Sequence, residues 1–174
     1  AEVEAAAHEG CRIVDLQGRT VVPGMIDAHT HVELTAYSRH LWTDVRGRSV
    51  EDILTTVAEL AAQRPAGAWI VLQGTFGQIL PGRAQLDAVA PEHRGALRWS
   101  MHKMQLNSAA LRASGIGRTT VAPPGVRIHR DGGGDPSGLV EEGWDLLSWQ
   151  PPLEGALLPI LEETLRELFL RNGV

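Results

Sequence analysis

Apolar positions recur at helical spacing most clearly over residues 49–64. Val50, Ile53, Leu54, Val57, Leu60 and Ala61 fall on one helical face, and Ser49 with Asp52 resembles a capping box at its start. Pro65 and Gly67 stop it. Upstream, the pattern is that of strands. Cys11-Arg12-Ile13-Val14-Asp15-Leu16 alternates, Gln17-Gly18-Arg19 reads as a tight turn, and Thr20-Val21-Val22 resumes the strand. A short helix over residues 1–8, ended by Gly10, precedes this β-element. Residues 25–31 predict a strand of another kind. Its front half is apolar on both faces, as a parallel strand buried on both sides should be.

Downstream, residues 68–72 predict a strand that runs into the glycine-flanked loop Gly74-Thr75-Phe76-Gly77. A short helix over residues 86–89 and a strand over residues 96–100 follow. Residues 107–114 read as a helix with Asn107 as its N-cap and Gly115 just past its end. Within the loop-rich stretch 115–138, residues 126–129 alternate as a strand. Residues 139–149 and 158–171 predict helices separated by Pro151-Pro152. The second buries Leu161, Leu165, Leu168 and Phe169 on one stripe and is closed by Gly173. No internal repeat or low-complexity tract appears.

Composition narrows the function classes. The chain has 174 residues, enough for one domain with a real core or for parts of two. A formal net charge of −5 argues against a nucleic-acid partner, which needs a basic face. No apolar run approaches the ~18 residues of a membrane-spanning helix, and no secretory signal opens the chain. Cys11 is the single cysteine, so no intrachain disulfide forms and a reducing, cytoplasmic compartment fits. The start at Ala1, without an initiator Met, reads as processed or cut.

The candidate chemistry sits in Met25-Ile26-Asp27-Ala28-His29-Thr30-His31. On a strand, His29 and His31 project to one side while Thr30 points away, so two imidazoles can grip one divalent metal at ~2.0–2.1 Å. The plainer reading is two histidines lining a partly exposed strand end. Asp27 either orients a histidine ring or caps the turn. The triglycine over residues 132–134 lacks the G-x-G-x-x-G spacing of a dinucleotide loop. His8, His40, His93 and His129 have no metal-ligand spacing and read as solvated.

The run Asp15-Leu16-Gln17-Gly18-Arg19-Thr20-Val21-Val22-Pro23-Gly24, continuing into the histidine pair, resembles the opening signature of the amidohydrolase superfamily. Ala68-Trp69-Ile70, Leu80-Pro81, Leu86-Asp87, Pro91, His102, Asn107-Ser108, Ala110-Leu111, Gly138-Leu139 and Glu142 follow in the order of its family 3 branch, which includes N-substituted formamide deformylases. The resemblance implies an α/β fold, a partial (β/α)8 barrel of a metal-dependent hydrolase. Residues 1–24 would be the end of an N-terminal β-sandwich. Residues 25–174 would hold the first barrel strand, an inserted α/β segment and the first returning helix. It also implies His29 and His31 as ligands of a divalent metal, zinc foremost, although imidazole suits iron, nickel and copper too. The substrate would be a small molecule with an amide, formamide or related C–N bond.

His102, Asn107 and Glu142 are the substrate contacts that the resemblance implies. Each has a plainer role beside it, as a polar loop histidine, a helix N-cap and a carboxylate in a first helical turn. Two departures fall where substrate contacts belong. Leu72-Gln73-Gly74-Thr75-Phe76-Gly77-Gln78 lacks the Arg and the acid of the family step, and Ser100-Met101 stands where Asp-Gly is usual. The family's lysine, two further histidines and catalytic aspartate have no counterparts in this sequence. A whole barrel takes ~250 residues, so the chain reads as an interior fragment, inactive alone, whose open sheet edges invite self-association. The rival reading is a non-catalytic α/β module that self-associates or binds a protein partner.

Overall fold

The computed structural model describes residues 8–151 and 154–174. Six strands form one sheet: β1 (Thr43–Asp44), β2 (Trp69–Gly74), β3 (Arg94–Trp99), β4 (Lys103–Leu106), β5 (Arg127–Arg130) and β6 (Pro136–Glu141). Their order across the sheet is β1-β2-β3-β4-β6-β5. The first three run parallel, and the other pairings are antiparallel. The helices are α1 (Val32–His40), α2 (Val50–Gln63), α3 (Arg83–Val89), α4 (Ser108–Ala113) and α5 (Glu154–Thr164). The last continues as a π turn, Leu165–Phe169, and a 3-10 turn, Leu170–Asn172.

Helix α2 forms where periodicity and cap agree. The Ser49 hydroxyl oxygen accepts the Asp52 backbone N–H at 3.1 Å, and the Ser49 N–H donates back to the Asp52 carboxylate at 3.4 Å. Its inner face puts Ile53 and Val57 against Ile70 and Leu72 of β2, Leu97 of β3 and Leu86 of α3, all buried. Full burial of each such side chain stabilises the fold by about 1.5–3 kcal/mol. Strand alternation sends Val71 to the opposite face, against Tyr37 of α1 and Trp42. Ala96 on that face joins a third cluster with Met104, Leu106, Leu111, Ile128 and Val140.

Helix α4 is bolted to the sheet by one side chain. Asn107 is 0 % exposed, and its Oδ1 accepts the N–H groups of Gly95 and Ala110, both at 2.9 Å. Its Nδ2 donates to the Ala90 and His93 carbonyls at 3.1 and 2.8 Å. Gly95 lets the backbone come this close, since a Cβ there would sit 3.3 Å from the Asn107 Cγ.

Three expectations fail. The helix expected over residues 139–149 is strand β6 followed by a 3-10 turn, Trp144–Leu146. Gly138 at φ +97° and Glu142 at φ +53° leave the helical region, and pairing with both β4 and β5 outweighs the local apolar pattern. The strands expected within residues 11–31 do not form. That stretch is exposed and joins neither edge of the sheet, so its alternation finds no partner, and Ile13 is 77 % and Ile26 92 % exposed. Its turn does form: Arg19 N–H donates to the Leu16 carbonyl at 3.0 Å, with Gly18 at φ +80°. The stripe expected on the last helix is only half-buried, with Leu165 exposed and Thr164 the buried residue. Gly173 closes the segment at φ +82°, as expected. The helix expected over residues 1–8 lies outside the described residues except for His8, which is not helical.

Candidate functional site

An open cleft of about 500 Å³ lies at the carboxyl ends of the parallel strands. Gln73 near the end of β2, Arg98 near the end of β3 and Arg46 just after β1 line it, and His29, His31 and α1 form its opposite wall. Crevices at the carboxyl ends of strands are where open α/β sheets bind ligands.

The histidine pair reaches the cleft by a bend, not by the expected strand. The Asp27 carboxylate accepts the backbone N–H of His29 at 3.0 Å, so Asp27 shapes the turn. His31 is the residue before α1, and its carbonyl accepts both the N–H and the hydroxyl of Thr35 at 2.9 Å. The two Nε2 atoms face each other 3.3 Å apart, and the rings meet edge to face with centroids at 5.1 Å. Two nitrogens ~2.0–2.1 Å from a tetrahedral zinc stand about 3.3 Å apart, so the spacing fits two ligands of one ion. It equally fits a single N–H···N hydrogen bond between neutral rings. Among the described residues no cluster of three or more His, Cys, Asp or Glu accompanies the pair. The donors present make half a coordination shell.

Sequence reasoning passed over the most unusual group in the cleft. Arg98 is 3 % exposed, and its guanidinium packs over two adjacent indoles, 4.8 Å from the Trp42 ring and 4.4 Å from that of Trp144, whose centroids are 5.4 Å from each other. Burial pulls its pKa down to about 10, which leaves it charged at neutral pH. Tyr37 and Trp149 extend the aromatic wall, with ring centroids 5.4–6.1 Å apart. Arg46 is paired otherwise. It grips the Asp44 carboxylate through two hydrogen bonds at 2.9 and 2.6 Å, which holds Asp44 down to about 2. The signal for Arg98 was a charge inside the apolar run Ala96-Leu97-Arg98-Trp99.

The implied substrate contacts scatter. His102 and Glu142 do meet, Nδ1 to Oε1 at 2.7 Å, because the Glu142 N–H also donates to the His102 carbonyl at 2.8 Å. The pair is exposed at the β3–β4 turn and lies beside the cleft wall, not on it. Glu142 follows a strand and opens no helix, which corrects its dipole reading. Asn107 is buried, is not among the residues lining the cleft, has its amide fully engaged and caps α4, the plainer of its two roles. Gln73, Ser100 and Met101, the points of departure from the family pattern, all line the cleft.

The amidohydrolase family model matches residues 12–167. N-substituted formamide deformylase of Arthrobacter pascens is 34% identical over 160 residues, which are 85% of this chain and 30% of that protein. Putative amidohydrolase YtcJ of Bacillus subtilis (strain 168) is 30% identical over 142 residues, 77% of this chain and 27% of that one. Among solved structures, an uncharacterized metal-dependent hydrolase from Pyrococcus horikoshii OT3 is similar with a TM-score of 0.44 and 20% identity, over 96% of this chain and 28% of that chain. The chain thus spans less than a third of the length of these relatives. With the family model covering nearly all of it, the chain belongs to the amidohydrolase family.

Proposed function

We propose that this chain carries part of the active site of a metal-dependent hydrolase that cleaves an amide, formamide or related C–N bond of a small molecule. His29 and His31 are two of the metal ligands. The observation that carries the reading is the 3.3 Å approach of their Nε2 atoms on the wall of the strand-end cleft. When bound, a divalent ion supplies Lewis acidity toward a carbonyl oxygen and lowers the pKa of water. Zinc suits two imidazoles best, with iron, nickel and copper as alternatives.

The chain's own residues do the positioning. The Asp27 turn fixes the backbone of His29, and the start of α1 fixes that of His31, so both rings are aimed before any ligand arrives. His102 and Glu142 stand next to Met101 of the cleft wall and form a rim pair open to substrate. In the net reaction water adds at the carbonyl carbon, the C–N bond breaks, and the amine leaves with the proton.

The finer architecture belongs to the same proposal. Residues 1–24 end a β-sandwich, and residues 25–174 open a (β/α)8 barrel with an inserted α/β segment. Supporting this, Val21, Val22, Met25 and Ile26 are exposed apolar side chains that further strands would cover. No described helix is long and apolar enough to cross a membrane. The single free cysteine supports a reducing compartment.

The test is metal content by elemental analysis of the full-length protein and of its His29→Ala/His31→Ala variant. Loss of stoichiometric metal in the variant is expected, and unchanged stoichiometry would sink the ligand assignment. Metal-free wild-type protein that self-associates and turns over no formamide or amide would favour the non-catalytic module instead.

A further inference from the structure

Among the described residues, Arg98 is a cation without a counter-ion. No described carboxylate pairs with it, and its Nη1 is buried without a hydrogen-bond partner. The two indole faces offset part of the desolvation but offer no acceptor to five N–H donors. Its neighbour across the β2–β3 register is Gln73, a neutral amide whose Nε2 is turned to the Gly74 carbonyl at 2.7 Å.

The surroundings have the same sign. In a chain of net charge −5, the cleft is lined by Arg39 and Arg98, by Arg46, whose charge Asp44 offsets, and by two histidines, with no Asp or Glu among its described lining residues. A concave wall of one sign draws ligands of the other. A planar guanidinium packed on ring faces matches the two oxygens of a carboxylate better than any neutral group.

We infer that Arg98, packed over Trp42 and Trp144, anchors a carboxylate on the substrate, so that the cleft selects amides carrying a free carboxylate, N-acyl amino acids in class, over neutral amides. This rests on the cleft being the substrate site. It adds a specificity-determining residue to the histidine pair.

The test compares N-acetylglycine with N-acetylglycinamide, which differ in charge and hardly in size. Binding to the full-length protein is followed by calorimetry and by tryptophan fluorescence, since Trp42 and Trp144 both touch the guanidinium. The acid is expected to bind about tenfold or more tighter than the amide. Arg98→Met should bring the ratio close to one, and Arg98→Lys should keep part of it. A wild-type protein that does not discriminate overturns the inference. So does an Arg98→Met variant that keeps the preference. If Arg98→Met does not fold, the wild-type ratio decides alone. Both probes are also measured on chelator-treated protein. A ratio that persists there stands whether or not His29 and His31 prove to be ligands, and one that collapses assigns the carboxylate to the metal and overturns the anchor.

Discussion

Replacing Asn107 with Ala tests whether this residue holds the fold or touches substrate. The substitution removes a partner from four backbone groups: the N–H of Gly95 and of Ala110, and the carbonyls of His93 and Ala90, the last of which keeps the His93 N–H at 3.3 Å. Each buried group left unpaired costs about 1–3 kcal/mol, and water entering the vacated space relieves some of them. A net loss of about 4 kcal/mol is expected, a large share of the 5–15 kcal/mol typical of a domain. With a urea slope of about 2 kcal/mol/M, the unfolding midpoint should fall by about 2 M. The assay is equilibrium urea unfolding followed by far-ultraviolet circular dichroism, with amide exchange of Gly95 and Ala110 as a local check. Both amides should lose protection. A midpoint shift equivalent to less than about 1 kcal/mol, with both amides still protected, would refute the reasoning. Asn107→Asp separates the contributions: it keeps the acceptor for two N–H groups but turns a buried oxygen toward two carbonyls. It should therefore also destabilise.

Two further predictions need no knowledge of the substrate. Tyr37 is the one tyrosine, and burial first, then the hydrogen bond and charge of Glu33, push its phenol up to about 12 from 10.0. The fold favours the protonated form, so this contribution is whole below pH 10 and is lost as pH rises through about 12. Spectrophotometric titration should show a midpoint near 12 in the native protein and near 10 in denaturant, and a native midpoint of 10 would count against the burial. Gly138→Ala should be severe, because φ is +97° and a Cβ would press into the Gln105 amide and the Leu106 carbonyl. A cost of about 3 kcal/mol is expected, or roughly 10 °C in Tm for a chain of this size, and a shift within about 2 °C would refute it.

What the sequence determined by itself was whatever depends on near neighbours. Helix α2 followed from six apolar positions and the Ser49–Asp52 cap, and α4 from Asn107 and Gly115. Strands β2 and β3 followed from short, strand-like runs, and β5 from alternation. Family membership was legible from the ordered landmarks, and the family model bears it out. The histidine pair was legible as a motif, but the strand expected to aim it was not there.

Tertiary structure decided everything that rests on a distant partner. Residues 136–141 are a strand because β4 and β5 lie beside them, while residues 11–16 alternate just as well and have nothing to pair with. Arg98 became a buried cation only when the register of β2 and β3 set which face it occupies, and when two tryptophans far apart in sequence closed over it. Helical caps and periodicity are local and survive in isolation. Strand pairing, and the side of the sheet a charge is left on, are properties of contacts between segments, which no stretch of sequence carries alone.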